Sequence, residues 1–180
     1  DKIIISVAAG VPIADVEAAC PHLKIVRAMP NTPVQVCSGA FVAARGSNIT
    51  DEDMEKVERI FSPLGFFAEA GEDKMDAVSA LSGCSPAYIY QIIEAMSDAG
   101  VRMGLSRDTA LKLAAVTVKG AGQTVYETGI HPACLKDKVT SPAGTTIEGV
   151  YEMERSGVRA GIMAALDAAY GKTLSFSKKR

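Results

Sequence analysis

Lys2-Ile3-Ile4-Ile5-Ser6-Val7-Ala8-Ala9-Gly10-Val11-Pro12 is the stretch from which the fold is read. Its β-branched run reads as a short buried strand, its small residues as the turn at the strand's end, and Pro12 as the opening of a helix reaching about Cys20. Strand, turn and helix in that order form the unit of a parallel sheet. The chain opens on Asp1 rather than Met and enters the strand almost at once. Further residues of the same domain are therefore expected upstream.

Working outward, Leu23 to Met29 reads as the next buried strand, stopped by Pro30-Asn31-Thr32-Pro33, where each proline biases the residue before it to extended backbone. Ala40 to Ala44 is a third strand and Phe66 to Ala70 a short last one. Between them Thr50 offers a capping oxygen and Asp51, Glu52 and Asp53 first-turn acids. The helix they open runs to about Phe61, with Met54, Val57, Ile60 and Phe61 on one face. Strand signals end at Gly71, which places a domain boundary there: 1–71 is α/β and 72–180 all-helical.

Breaks in the helical part are expected at Gly83–Pro86, Gly100–Leu105, Gly129–Pro132 and Ser141–Gly144. In Ala87 to Met103 the polar positions Gln91, Glu94 and Asp98 form one narrow stripe, as do Lys112, Lys119, Gln123 and Glu127 in Arg107 to Glu127. Helices polar on so little of their circumference are expected to be buried nearly all round, which a domain of this size achieves against a second subunit. The last two helices are ordinary amphipathic ones, with Ile147, Val150 and Tyr151 on one and Val158, Ile162, Met163, Leu166 and Tyr170 on the other. Lys178-Lys179-Arg180 reads as a solvated tail.

The 180 residues are 48% hydrophobic and 22% charged, enough apolar material for a sizeable core, and the net charge of -2 leaves no basic field for nucleic acid or an acidic membrane surface. Cys20, Cys37, Cys84 and Cys134 lack CxxC spacing and read as free thiols of a reducing cytoplasm. Gly10 and Pro12 interrupt the apolar opening stretch, so no transmembrane or targeting segment is expected from it.

Leu135-Lys136-Asp137-Lys138-Val139-Thr140-Ser141-Pro142-Ala143-Gly144-Thr145-Thr146-Ile147 carries the clearest chemistry. Small and hydroxyl-bearing residues lead straight into an amphipathic helix, so backbone N–H groups and the positive helix end can receive an anion such as a carboxylate. The same residues equally suit a helix cap. Ala80-Leu81-Ser82-Gly83-Cys84-Ser85-Pro86-Ala87-Tyr88 sets small residues before a buried helix, either for close backbone approach or as a tight interhelical turn, and no base beside Cys84 suggests a thiolate nucleophile. Gly120-Ala121-Gly122 has no strand before it and reads as close helix packing rather than a dinucleotide fingerprint. His22 and His131 sit near Cys20 and Cys134 without zinc spacing, so no metal is expected.

Arg27-Ala28-Met29-Pro30-Asn31-Thr32-Pro33, Ser82-Gly83-Cys84-Ser85-Pro86-Ala87-Tyr88, His131-Pro132, and Lys136-Asp137 running into Thr140-Ser141-Pro142-Ala143-Gly144-Thr145-Thr146 occur in that order. Together they resemble the pyrroline-5-carboxylate reductase family along the whole chain. The resemblance implies the C-terminal part of a Rossmann-like dinucleotide-binding domain over 1–71, followed by a helical dimerisation and substrate-binding domain over 72–180. It implies hydride transfer from NADPH or NADH to the cyclic imine 1-pyrroline-5-carboxylate, giving L-proline in the last step of its biosynthesis. Cytoplasmic homodimers, joined into larger rings, are implied too.

By the same resemblance, Ser141, Gly144, Thr145 and Thr146 bind the substrate carboxylate, and Thr146 is the catalytic hydroxyl that hydrogen-bonds the ring nitrogen. Glu72 lies near the substrate, its alternative being a first-turn acid at a helix start. Val7, Ala8 and Ala9 contact the cofactor, as do Asn31 and Lys138. Ser85 and Ala143 replace glycines common in the family, so negative φ or a shifted loop is expected at each. The family's glycine-rich phosphate loop does not occur in these residues, so on their own they are expected to bind dinucleotide poorly. Two other readings remain: a related imine or 3-hydroxyacid dehydrogenase, and a non-catalytic helical oligomerisation module.

Overall fold

The computed structural model describes residues 2–177, and for Ser177 the backbone alone. The basic Lys178–Arg180 end lies outside the described residues. Two compact units form among the described residues, 2–86 with 164–177, and Ala87–Met163.

In the first unit, β1 (Ile3–Ser6) leads through α1 (Ile13–Ala19) to β2 (Lys24–Met29), which pairs parallel to it. β3 (Gly39–Arg45) then runs antiparallel to β2, and β4 (Gly65–Glu69) parallel to β3 after α2 (Asp51–Phe61), giving the order β1-β2-β3-β4. The reversal at β3 has a simple cause. The connection from β2 holds one 3-10 turn, Thr32–Val36, and is shorter than the dozen or so residues a parallel crossover needs. Cys37 ends that turn in the left-handed region, at φ 52°.

Ile25, Val26, Ala28 and Met29 of β2 are apolar because both faces of the sheet are covered. Ile25 and Met29 pack with Ile13, Ala44 and Met75 on one side, while Val26 packs with Ala43, Met54 and Val57 on the other. α2 starts as its sequence predicts: Thr50 Oγ1 accepts from the Asp53 N–H at 3.3 Å, and the Asp53 carboxylate accepts back from the Thr50 N–H at 3.2 Å. Lys24 Nζ reaches the same carboxylate at 2.6 Å. That ammonium, with the Thr50 N–H and hydroxyl, holds the Asp53 carboxyl down to about 2, below its ordinary 3.8. A depressed folded-state value means a contribution complete above pH 3.8 and lost as pH falls through about 2. Urea midpoints measured from pH 4 to pH 2 should therefore fall less steeply for Asp53→Asn than for the parent.

After β4 a 3-10 turn, Glu72–Lys74, leads into α3 (Met75–Val78) and a π-helical segment, Ser79–Cys84, that continues as α4 (Ser85–Arg102). The break expected at Gly83–Pro86 is absent. Pro86 has no N–H to give the Ser82 carbonyl four residues earlier, and its ring crowds that carbonyl; a wider turn relieves the clash without ending the helix. Asn31 Nδ2 donates to the Ser82 carbonyl at 3.2 Å.

In the second unit α4 meets α5 (Arg107–Thr128) at Gly100, where a Cβ would lie 2.9 Å from that of Ala110. Arg107 ties the two helices through Ser97 at 3.0 Å and Asp98 at 2.5 Å. α6 (Pro132–Lys138), α7 (Thr145–Arg155) and the start of α8 (Val158–Ser177) follow. Burial all round is not achieved within one chain: Val116 and Tyr126 on α5 are 68% and 70% exposed. Nothing lies within 4 Å of the Cβ positions of Gly120 or Gly122. The close packing expected at these glycines is therefore absent inside the chain.

Candidate functional site

The first unit gathers one group of the expected site residues. Val7, Ala8 and Ala9 form the exposed loop beyond the carboxyl end of β1, and Asn31 stands just beyond that of β2, the parallel neighbour. Carboxyl ends of adjacent parallel strands are where open α/β sheets receive ligands. The loop is built to let a ligand close: its side chains are small at Ala8 and Ala9, and Gly10 turns it with φ 71°. The Asn31 amide is engaged at both ends, its Oδ1 accepting from the Ala40 N–H at 2.8 Å and its Nδ2 donating to Ser82. It ties the Met29–Pro33 turn to β3 and to the π-helix.

Glu72 opens the turn after Gly71. Its Oε1 accepts from Arg27 Nη1 at 2.8 Å and from the Ile13 N–H at 3.1 Å, while Arg27 Nη2 reaches Asp76 at 3.3 Å. Sequence reading quoted Arg27 only as part of a motif and missed this cluster. Its one local signal is an arginine set between the apolar residues Val26 and Ala28 of β2.

The second unit holds the loop from α6 to α7. α6 is capped by His131, whose Nδ1 accepts from the Ala133 N–H at 3.3 Å, with Pro132 at its first position. Lys138 is its exposed last residue. The loop then closes on a turn in which the Gly144 N–H donates to the Ser141 carbonyl at 3.1 Å. A Cβ on Gly144 would come within 2.3 Å of Ser141 Oγ, so a larger residue there would have to turn that hydroxyl aside. Gly144 is the N-cap of α7 and no side chain caps the helix. The hydroxyls do not consume the first-turn N–H groups, and Thr145 and Thr146 stand exposed at the helix start. That favours an anion cradle over a cap.

Ser85 has φ -60°, as expected, but Ala143 adopts φ +55°. Here the expectation of negative φ fails, because the turn imposes a left-handed residue at its third position whatever the side chain. A left-handed alanine costs about 1–2 kcal/mol, and glycine's greater freedom when unfolded takes back about 0.4–1 kcal/mol. Ala143→Gly should thus stabilise the protein by up to about 1 kcal/mol, read as a raised denaturant midpoint at unchanged slope.

The expected residues fall into two sets, Val7, Ala8, Ala9, Asn31 and Glu72 in one unit, and Lys138, Ser141, Gly144, Thr145 and Thr146 in the other. Among the described residues no three His, Cys, Asp or Glu side chains gather as a metal site would require, and no helix is long and apolar enough to cross a membrane.

A partial Rossmann-type α/β unit followed by a helical dimerisation domain is the architecture of two-domain, dinucleotide-dependent oxidoreductases. Residues 72–175 match the model of the pyrroline-5-carboxylate reductase dimerisation family. The chain is 46% identical over 180 residues to the pyrroline-5-carboxylate reductase of Methanosarcina acetivorans, with 99% of this chain and 67% of that protein covered. It is 44% identical to that of Pisum sativum, with 98% and 65% covered. Crystal structures agree. The NADP-bound pyrroline carboxylate reductase of Plasmodium falciparum superposes with a TM-score of 0.90 at 37% identity, over 98% of this chain and 71% of that one. A pyrroline-5-carboxylate reductase from Coxiella burnetii gives 0.91 at 34%, over 97% and 66%. The chain belongs to the pyrroline-5-carboxylate reductase family, and it spans 64–67% of the length of its first curated relatives.

Proposed function

We propose that the protein reduces 1-pyrroline-5-carboxylate to L-proline with NADPH or NADH, as a cytoplasmic homodimer assembled into rings of dimers and without nucleic-acid or membrane partners. The uncapped start of α7, with Gly144 as N-cap and Thr145 and Thr146 exposed beside the turn, carries this reading. Its N–H groups receive the substrate carboxylate, with Ser141 at the turn's edge. Thr146, one position into the helix, then meets the ring nitrogen. An iminium N–H donates to its hydroxyl oxygen, which favours the protonated imine, the form that accepts hydride.

The nicotinamide cofactor supplies the hydride when bound. Val7, Ala8 and Ala9 would contact it, with Asn31 and Lys138 as further cofactor-contacting residues. A family match that begins at Glu72 supports a boundary at Gly71 in the sequence, whereas the compact units divide between Pro86 and Ala87 and the first takes back the chain from Ala164. Full-length protein should oxidise NADPH or NADH with 1-pyrroline-5-carboxylate and release proline. Turnover of a hydroxy acid instead, with none of the imine, rejects the assignment.

A further inference from the structure

We propose that Glu72 is a positioning residue for the dinucleotide: with Arg27, it anchors the start of α1 and so fixes the loop Val7–Pro12 rather than contacting substrate. This rests on the proposed role of Val7, Ala8 and Ala9. α1 begins after Pro12, whose side chain offers no capping hydrogen bond. The Ile13 N–H, one of the donors that helix geometry leaves open, is taken by Glu72 from 59 residues away. Between Ser6 and Ile13 the loop's own backbone bond is a long one, 3.4 Å from the Val11 N–H to the Ala8 carbonyl. Glu72 is thus the firm attachment at the loop's far end.

Arg27 holds Glu72 in turn. Its side chain is 5% exposed, and it stands on β2 opposite Ser6, the last residue of β1, directly before the loop. Glu72 Oε1 already accepts two hydrogen bonds. Glu72 Oε2 and Arg27 Nε are buried with no hydrogen-bond partner. A cluster left partly unpaired costs stability, and what it provides in return is a fixed geometry where β1 hands over to the loop.

The test is NADPH binding by fluorescence titration of the full-length protein, beside steady-state kinetics. Glu72→Ala should raise the NADPH Kd roughly tenfold, equivalent to about 1.4 kcal/mol and typical of a lost helix cap. Glu72→Gln keeps an oxygen for Ile13 but loses the ion pair, and should raise Kd roughly threefold. In both, KM for the pyrroline carboxylate stays within about twofold, since uniform loss of substrate binding is not involved. Unchanged NADPH Kd in both variants overturns the proposal, as does a risen pyrroline KM at unchanged Kd, which would put the carboxylate on the substrate. Should Glu72→Ala fail to fold by circular dichroism, the glutamine variant decides by the same two readings. A parent protein that binds NADPH without turning over the imine sinks the proposed function and leaves this titration standing; one that binds no dinucleotide overturns both.

Discussion

Replacing Thr146 by alanine should lower kcat for the pyrroline carboxylate roughly 100- to 1,000-fold, the usual cost of losing one hydrogen-bonding group aimed at charge in the transition state. KM should move far less. Thr146 is the second residue of α7, so its backbone N–H remains to receive the carboxylate in the alanine variant. Only the hydroxyl disappears, and with it the oxygen that favours a protonated ring nitrogen. A group used mainly in the transition state lowers kcat and kcat/KM together. Serine at this position keeps the oxygen and should recover most of the rate, whereas valine, nearly the same shape without it, should behave as alanine does. Thr145→Ala separates binding from chemistry: the N–H groups of the helix start survive, so any loss should fall on KM and leave kcat within a few-fold. Parent-like proline formation by the alanine and valine variants would remove Thr146 from the chemistry.

What sequence reading reached and what it missed divide by distance along the chain. Strand β2, the Thr50 cap with its Asp53 partner, and the loop 141–146 are written in consecutive residues, and local chemistry specifies them. Pro86 was legible as a missing donor but not as a π-helix, because the donor that reaches the exposed carbonyl comes from Asn31, 51 residues earlier. Glu72 was read as a carboxylate near the substrate, or else as a first-turn acid at a helix start; its partners Arg27 and Ile13 stand 45 and 59 residues away. At 141–146 the residue types suited both a cap and a cradle. Gly144 as N-cap, with no side-chain cap, favours the cradle. Ala143 misled for the opposite reason: its side chain predicted a backbone that the turn around it overrules.

The helical unit makes its own prediction, since the family match over 72–175 is to a dimerisation domain. Leu113, Val116 and Gly120 follow one another at i, i+3 and i+7, so they share one face of α5. Leu113 is 54% and Val116 68% exposed, and the Cβ position of Gly120 meets nothing within the chain. A face at once apolar and open to close approach is what a second copy covers. Val116→Glu puts a carboxylate into that contact, where it loses water without gaining a partner. The dimer should weaken by at least about 2 kcal/mol, roughly thirtyfold in Kd, and light scattering should find monomer at concentrations where the parent is dimeric. Because Val116 is exposed in one chain, the helix itself should persist by circular dichroism. Gly120→Leu tests the same face by bulk instead of charge, and Lys112→Glu, on the polar stripe, should leave the assembly intact. Dimers of parent affinity in both the Val116 and Gly120 variants would move the contact to another face of the helix.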